Sequence, residues 1–65
     1  MAKYKIYWKE CANRHGGVES CWVKVDARGY LEANNGGSAI RLVKNALGRE
    51  HLNKYKCRDF KADKK

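Results

Sequence analysis

Three cysteines and two histidines are the side chains with most scope for nucleophilic or metal chemistry: Cys11, Cys21, Cys57, His15 and His51. Their spacing points away from both. A structural zinc site usually draws on closely spaced ligand pairs that pre-set the tetrahedron, whereas this chain has no C-x-x-C and its tightest grouping is Cys11-x-x-x-His15. No metal and no other cofactor is expected. Cys11 is the candidate for a reactive, exposed thiol, because Arg14 and His15 nearby would favour the thiolate. A Cys–His neighbourhood without a third orienting group is still a poor nucleophile signature. Neither histidine has a carboxylate or serine at a spacing that suggests acid–base work. The odd cysteine count disfavours a closed disulfide framework of the secreted type and leaves at least one thiol free. The residues that could do covalent chemistry therefore read as those of a binder, not an enzyme.

The cationic residues carry the stronger signal. The chain has 65 residues, 15 Lys+Arg, 7 Asp+Glu and a net charge of +8, which suits a polyanionic partner because neutralised phosphates release condensed counterions. Residues 1–48 hold eight basic and four acidic groups and residues 49–65 hold seven and three, so half the net charge lies in the last quarter of the chain. The final residues, 61–65, read as a flexible basic tail. Gly36-Gly37-Ser38 at a helix start could cradle a phosphate, but the lysine-bearing P-loop pattern is absent and an ordinary cap explains it.

Length limits what the chain can build. A single small domain spanning residues 1–65 buries only about 60% of the surface of its unfolded chain, so its core is thin and leaves little room for a deep catalytic pocket. No apolar run approaches the roughly 18 to 20 residues that cross a bilayer, and the MAKYKIYWKE segment has no signal-peptide character. A cytoplasmic protein with no membrane contact is expected. Its seven aromatics (Trp 2, Tyr 4, Phe 1) give it more to bury than a disordered basic tail has.

The elements that must position these groups follow from periodicity. Tyr4 to Lys9 alternates with period two, presenting Tyr4, Ile6 and Trp8 to one face and Lys5, Tyr7 and Lys9 to the other. Glu10 to Gly17 reads as a loop. A second strand runs from about Val18 to Ala27, with Cys21, Val23 and Val25 on one face and Trp22, Lys24 and Asp26 on the other. Gly29 marks either a bulge in a longer strand or a turn into a further short one. After the Asn34–Ser38 breaker, Ala39–Leu47 has the spacing of an amphipathic helix that packs Ile40, Val43 and Leu47, is capped by Asn35 or Ser38, and ends at Gly48. Leu52 to Ala62 alternates again as a third strand.

The order β-β-α-β predicts an α+β fold with a three-stranded antiparallel sheet in the order 2-1-3 and one helix on one face. Such a helix, about 15 Å long, covers one side only. The open face then collects Lys5, Tyr7 and Lys9 with Trp22, Lys24, Lys54, Lys56 and Arg58, an aromatic and basic surface on which bases can stack while cations hold phosphates. A cross-strand pairing of Trp22 with Tyr7, or a homodimer contact through an edge strand, is the structural alternative. Phe60 shares parity with Lys56 and Arg58, so the third strand bulges or ends before it.

The run Trp22-Val23-Lys24-Val25-Asp26-Ala27 through Asn34-Asn35-Gly36-Gly37-Ser38-Ala39-Ile40-Arg41-Leu42-Val43-Lys44 resembles the compact β-β-α-β plan of small phage-encoded proteins, including some anti-CRISPR proteins. That resemblance implies a single-domain binder that occupies a surface on a larger complex. Many nuclease inhibitors of this kind imitate DNA with acidic groups, and this basic chain departs from that pattern. Two functions are therefore expected in order: a module that contacts DNA or RNA backbone with little sequence readout, and a phage-type inhibitor or adaptor that docks on an acidic protein or ribonucleoprotein surface.

Overall fold

The computed structural model describes residues 1–13 and 15–65, His15 by its backbone alone. Strand β1 (Ala2–Asn13) leads through a 3-10 turn (His15–Gly17) into β2 (Glu19–Ala33). Helix α1 (Gly36–Leu47), helix α2 (Arg49–Lys54) and strand β3 (Arg58–Lys64) follow. The three strands form one antiparallel sheet in the order β2-β1-β3, with α1 as its main helix. This is the expected α+β plan. No helix is long and apolar enough to cross a membrane among the described residues.

Local chemistry explains where α1 starts and stops. The Asn35 side chain accepts a hydrogen bond from the Ser38 amide at 2.8 Å, satisfying a donor that the first helical turn leaves unpaired. At the other end Gly48 adopts φ +87°, and its N–H donates to the Lys44 carbonyl at 3.0 Å. Only glycine takes that conformation without steric cost.

Two bulges decide which side chains share a face. Between the pairs Lys5–Tyr30 and Tyr7–Val25, one residue of β1, Ile6, faces four residues of β2, 26–29. Three extra residues are an odd number, so the alternation of β2 inverts across the bulge. Before it Trp22 and Lys24 point to the helix side, opposite Glu10 and Trp8; after it Leu31 and Ala33 do. Gly29 at φ +82° supports this bend, and β2 is one continuous strand through it. In β3 the partners step from Tyr7–Lys61 to Lys9–Arg58, and Asp59 at φ +57° is the extra residue. That step puts Phe60 on the helix side while Arg58 stays with Lys9.

The core lies under α1. Ile6, Trp8, Ala33, Ala39 and Val43 are buried, with Tyr4, Leu31, Ile40, Leu47 and Phe60 packed around them. Trp8 stacks on Phe60 with centroids 5.7 Å apart.

Several expectations require correction. Glu10–Asn13 extends β1 and is not loop, because the Glu19–Trp22 segment pairs with it. Residues 49–54 form α2, so the third strand starts at Arg58 and not near Leu52. The alternation of Tyr55 and Cys57 with Lys56 and Arg58 falls instead on the turn that closes α2, where the Tyr55 N–H bonds the His51 carbonyl at 3.1 Å and the Cys57 N–H bonds the Leu52 carbonyl at 3.0 Å. Residues 61–64 belong to the ladder, and the Lys65 N–H bonds the Lys3 carbonyl at 2.9 Å, where a fraying tail was expected. Cys11 is neither exposed nor a free thiol: it is 1% exposed and joined to Cys21. The thiolate-promoting role expected of Arg14 and the His15 side chain lies outside the described residues.

Candidate functional site

The uncovered sheet face carries Lys5, Tyr7 and Lys9 from β1 and Arg58 from β3, as expected. It does not carry Trp22 and Lys24, because the odd bulge turns them to the helix side. Val23 and Val25, expected to be inside, stand on the open face instead; Val23 is 70% exposed. Tyr30, opposite Lys5, joins Tyr7 there. The Lys5 ammonium lies 6.0 Å from the Tyr7 ring centroid and 5.9 Å from that of Tyr30. Lys54 and Lys56 belong to α2 and the turn after it. They line a small cleft at the far end of the hairpin with Cys11, Asn13 and Glu19.

That far end lies beyond the reach of α1. The molecule is 46 Å long, while a twelve-residue helix spans about 18 Å. The Cys11–Cys21 disulfide ties β1 to β2 there, across Cα atoms 4.0 Å apart. The Cys11 N–H donates to the Tyr55 carbonyl at 2.7 Å, so the turn after α2 continues the ladder where β3 has ended.

The open face is more nearly neutral than its lysines suggest. Lys9 pairs with Asp59 at 3.9 Å and Lys56 with Glu19 at 3.1 Å. In register, Lys3 faces Glu32 and Lys5 faces Asp63. Each carboxylate there reduces the potential that a phosphate would meet. Between Tyr7, Lys9, Val23 and Asp59 the β3 bulge opens a shallow groove of about 360 Å³.

The helix-bearing side has the opposite balance. Arg41, Lys44 and Arg49 are exposed on the two helices, with Lys24 and Lys64 exposed on the flanking strands. Glu50 is the one exposed acidic residue of either helix. None of these five cations is within ion-pair distance of a carboxylate among the described residues. Lys44 also sits 4.8 Å from the Phe60 ring centroid, an aromatic surface within the same patch. Sequence reasoning named Lys24 but missed the helix cations Arg41, Lys44 and Arg49, because it searched the strands. The signal was present in α1, whose only charged residues, Arg41 and Lys44, are both basic and three apart on its polar side.

Below that patch lies a buried polar cluster. Glu10, 4% exposed, accepts from the Trp8 indole N–H at 2.9 Å, and its Oε2 lies 2.7 Å from His51 Nε2. The Cys57 thiol donates to the same oxygen at 3.8 Å. Burial works to raise the Glu10 pKa, but the hydrogen bonds from His51 and Trp8, aided by the charges of His51 and Lys24, outweigh it and hold the carboxyl below its ordinary value. Burial, and then the neighbouring Glu10 charge, push the Cys57 thiol up. A protonated thiol that leans on a carboxylate rather than a base is not an activated nucleophile.

No protein family matches the chain, and neither a curated protein nor a solved structure is similar to it.

Proposed function

We propose that the protein is a small basic module that binds the phosphodiester backbone of DNA or RNA without strong sequence readout, acting as a binder and not as a catalyst. The observation that carries this reading is the uneven placement of carboxylates beside its cations. On the open sheet face carboxylates lie among the cations, Asp59 paired with Lys9 and Glu32 and Asp63 opposite Lys3 and Lys5 in register, whereas Arg41, Lys44, Arg49, Lys24 and Lys64 on the helix side have none within ion-pair distance among the described residues. Cations already matched within the protein release fewer counterions on binding, so the unmatched set should dominate affinity. The sheet face contributes Tyr7 and Tyr30 as secondary stacking surfaces, with Lys5 between them.

Salt titration tests the reading. Changing Arg41, Lys44 and Arg49 together to Gln removes about three phosphate contacts and should lower the slope of log K against log salt by about 2.7 on duplex DNA. The same change at Lys3, Lys5 and Lys9 should lower it by less than half as much. Binding that ignores salt, or no binding at low salt, overturns the proposal.

A second reading rests on exposed Val23, Val25 and Tyr30, an apolar strip suited to a protein surface. In that reading the chain is a phage-type inhibitor or adaptor, similar in role to anti-CRISPR proteins, that docks on an acidic or nucleic-acid-containing complex. Capture of a partner that survives nuclease treatment and is lost in Val23→Asp supports it over the first. Access to nucleic acid implies a cytoplasmic setting, in which the Cys11–Cys21 pair would meet a reducing thiol pool.

A further inference from the structure

We propose that Glu10, His51 and Cys57 form a binding site for a divalent transition-metal ion of the zinc type. The three residues come from β1, α2 and the segment leading into β3, yet their donor atoms all lie within 4.8 Å of one another. Carboxylate oxygen, imidazole nitrogen and thiol sulfur are all zinc donors, and three protein ligands with one position open is the arrangement of an accessible zinc site. His51 and Cys57 are both partly exposed, so solvent and ions can reach the cluster.

Convergence on one point distinguishes this cluster from an ordinary ion pair. Both His51 Nε2, at 2.7 Å, and Cys57 Sγ, at 3.8 Å, approach the same oxygen, Glu10 Oε2. Bonds of 2.0–2.3 Å in a tetrahedron put donor atoms about 3.3–3.6 Å apart. Seating an ion therefore asks His51 to withdraw from Glu10 by about 0.6 Å and the thiol to close on it by a few tenths of an ångström, and His51 and Cys57, within 4.8 Å of each other, to approach by at most about 1.2 Å, movements within side-chain reach.

The surroundings are those of a supported ligand set. The Trp8 indole N–H holds the Glu10 carboxylate at 2.9 Å, the kind of outer hydrogen bond that orients a ligating carboxylate. Cys57 is fixed by its own backbone, whose N–H bonds the Leu52 carbonyl at 3.0 Å. The other donor cluster, Cys11, Glu19 and Cys21, has its two sulfurs committed to the disulfide and is not available.

The test uses the full, untagged chain with its disulfide intact. Zinc chloride titrated into it should bind one ion per chain and raise the midpoint of thermal unfolding, since only the folded chain assembles the site. Cobalt(II) should give a thiolate-to-metal charge-transfer band. Zinc should protect Cys57 from alkylation in the unaltered protein, a readout that needs no variant. Cys57→Ser and His51→Gln, each checked for folding by circular dichroism, should bind zinc at least about tenfold more weakly and Cys57→Ser should lose the cobalt band. Absence of one-to-one binding, undiminished affinity in both folded variants, or a Cys57 alkylation rate indifferent to zinc would each overturn the proposal.

Discussion

One sheet presents two unlike faces. On the helix side, alternating positions of β1 bury Tyr4, Ile6, Trp8 and Glu10 to different degrees, and the exposed surface above them is cationic with little acidic relief. On the other side, aromatic and β-branched residues stand in solvent among lysines of which Lys3, Lys5 and Lys9 have a carboxylate neighbour. Strand propensity is thus no guide to burial here. Val23 and Val25 serve the pleated backbone as strand formers without entering a core. Equally, a count of lysines is no guide to free charge. The faces differ in how many carboxylates lie beside the cations, not in how many cations they hold.

The largest test of this contrast is in the core. Ile6 is fully buried, and Ile6→Ala should cost about 2–5 kcal/mol, a large share of the roughly 3–10 kcal/mol expected for a chain of this length. Val23→Ala on the open face should stay within about 0.5 kcal/mol. Urea denaturation of the two variants measures both, and equal losses would mean that the open face is covered by something.

A smaller effect is expected at the far end of the hairpin, where the disulfide stands in for the missing helix. Its cysteines are ten residues apart, and the loop-entropy account gives about 2–3 kcal/mol for closing such a loop. The Cys11→Ser/Cys21→Ser pair should therefore shift the urea midpoint less than Ile6→Ala while leaving the α1 core in place, as near-ultraviolet circular dichroism of Trp8 would show. Next comes Gly29. Open space surrounds a Cβ built there, but φ is +82°, so Gly29→Ala should cost about 1–2 kcal/mol from conformation alone. A neutral result would mean that the inverting bulge tolerates a different local shape.

These positions also show what could be read before the fold. The Tyr4–Trp8 alternation and the spacing of Ile40, Val43 and Leu47 led to the right sheet order and helix face, since one strand and one helix each hold a single period throughout. The faces of β2 did not follow. A three-residue surplus opposite Ile6 inverts every side chain before it, and its only local trace is the Arg28-Gly29 step already ambiguous between bulge and turn. The same inversion moved Trp22 and Lys24 out of the expected site. Arg58 kept its face because a second odd bulge, at Asp59, separates it from Phe60. The Cys11–Cys21 bond and the meeting of Glu10, His51 and Cys57 depend on register and on a helix where a strand was expected, so spacing along the chain carried no sign of either.

The smallest expected effect is the most discriminating for charge. Lys9 and Asp59 form a solvent-exposed pair at 3.9 Å, and exposed pairs contribute about 0–1 kcal/mol. Lys9→Gln should therefore leave the urea midpoint nearly unchanged. It should also change the salt slope of DNA binding by less than about 0.4, because a lysine already beside a carboxylate releases little counterion. Lys44→Gln, on the helix side, should lower that slope by about 0.9 for one lost phosphate contact. Matched slopes for the two single variants would show that phosphate competes successfully with Asp59, and the distinction between paired and unpaired cations would then fail as an account of where the polyanion binds.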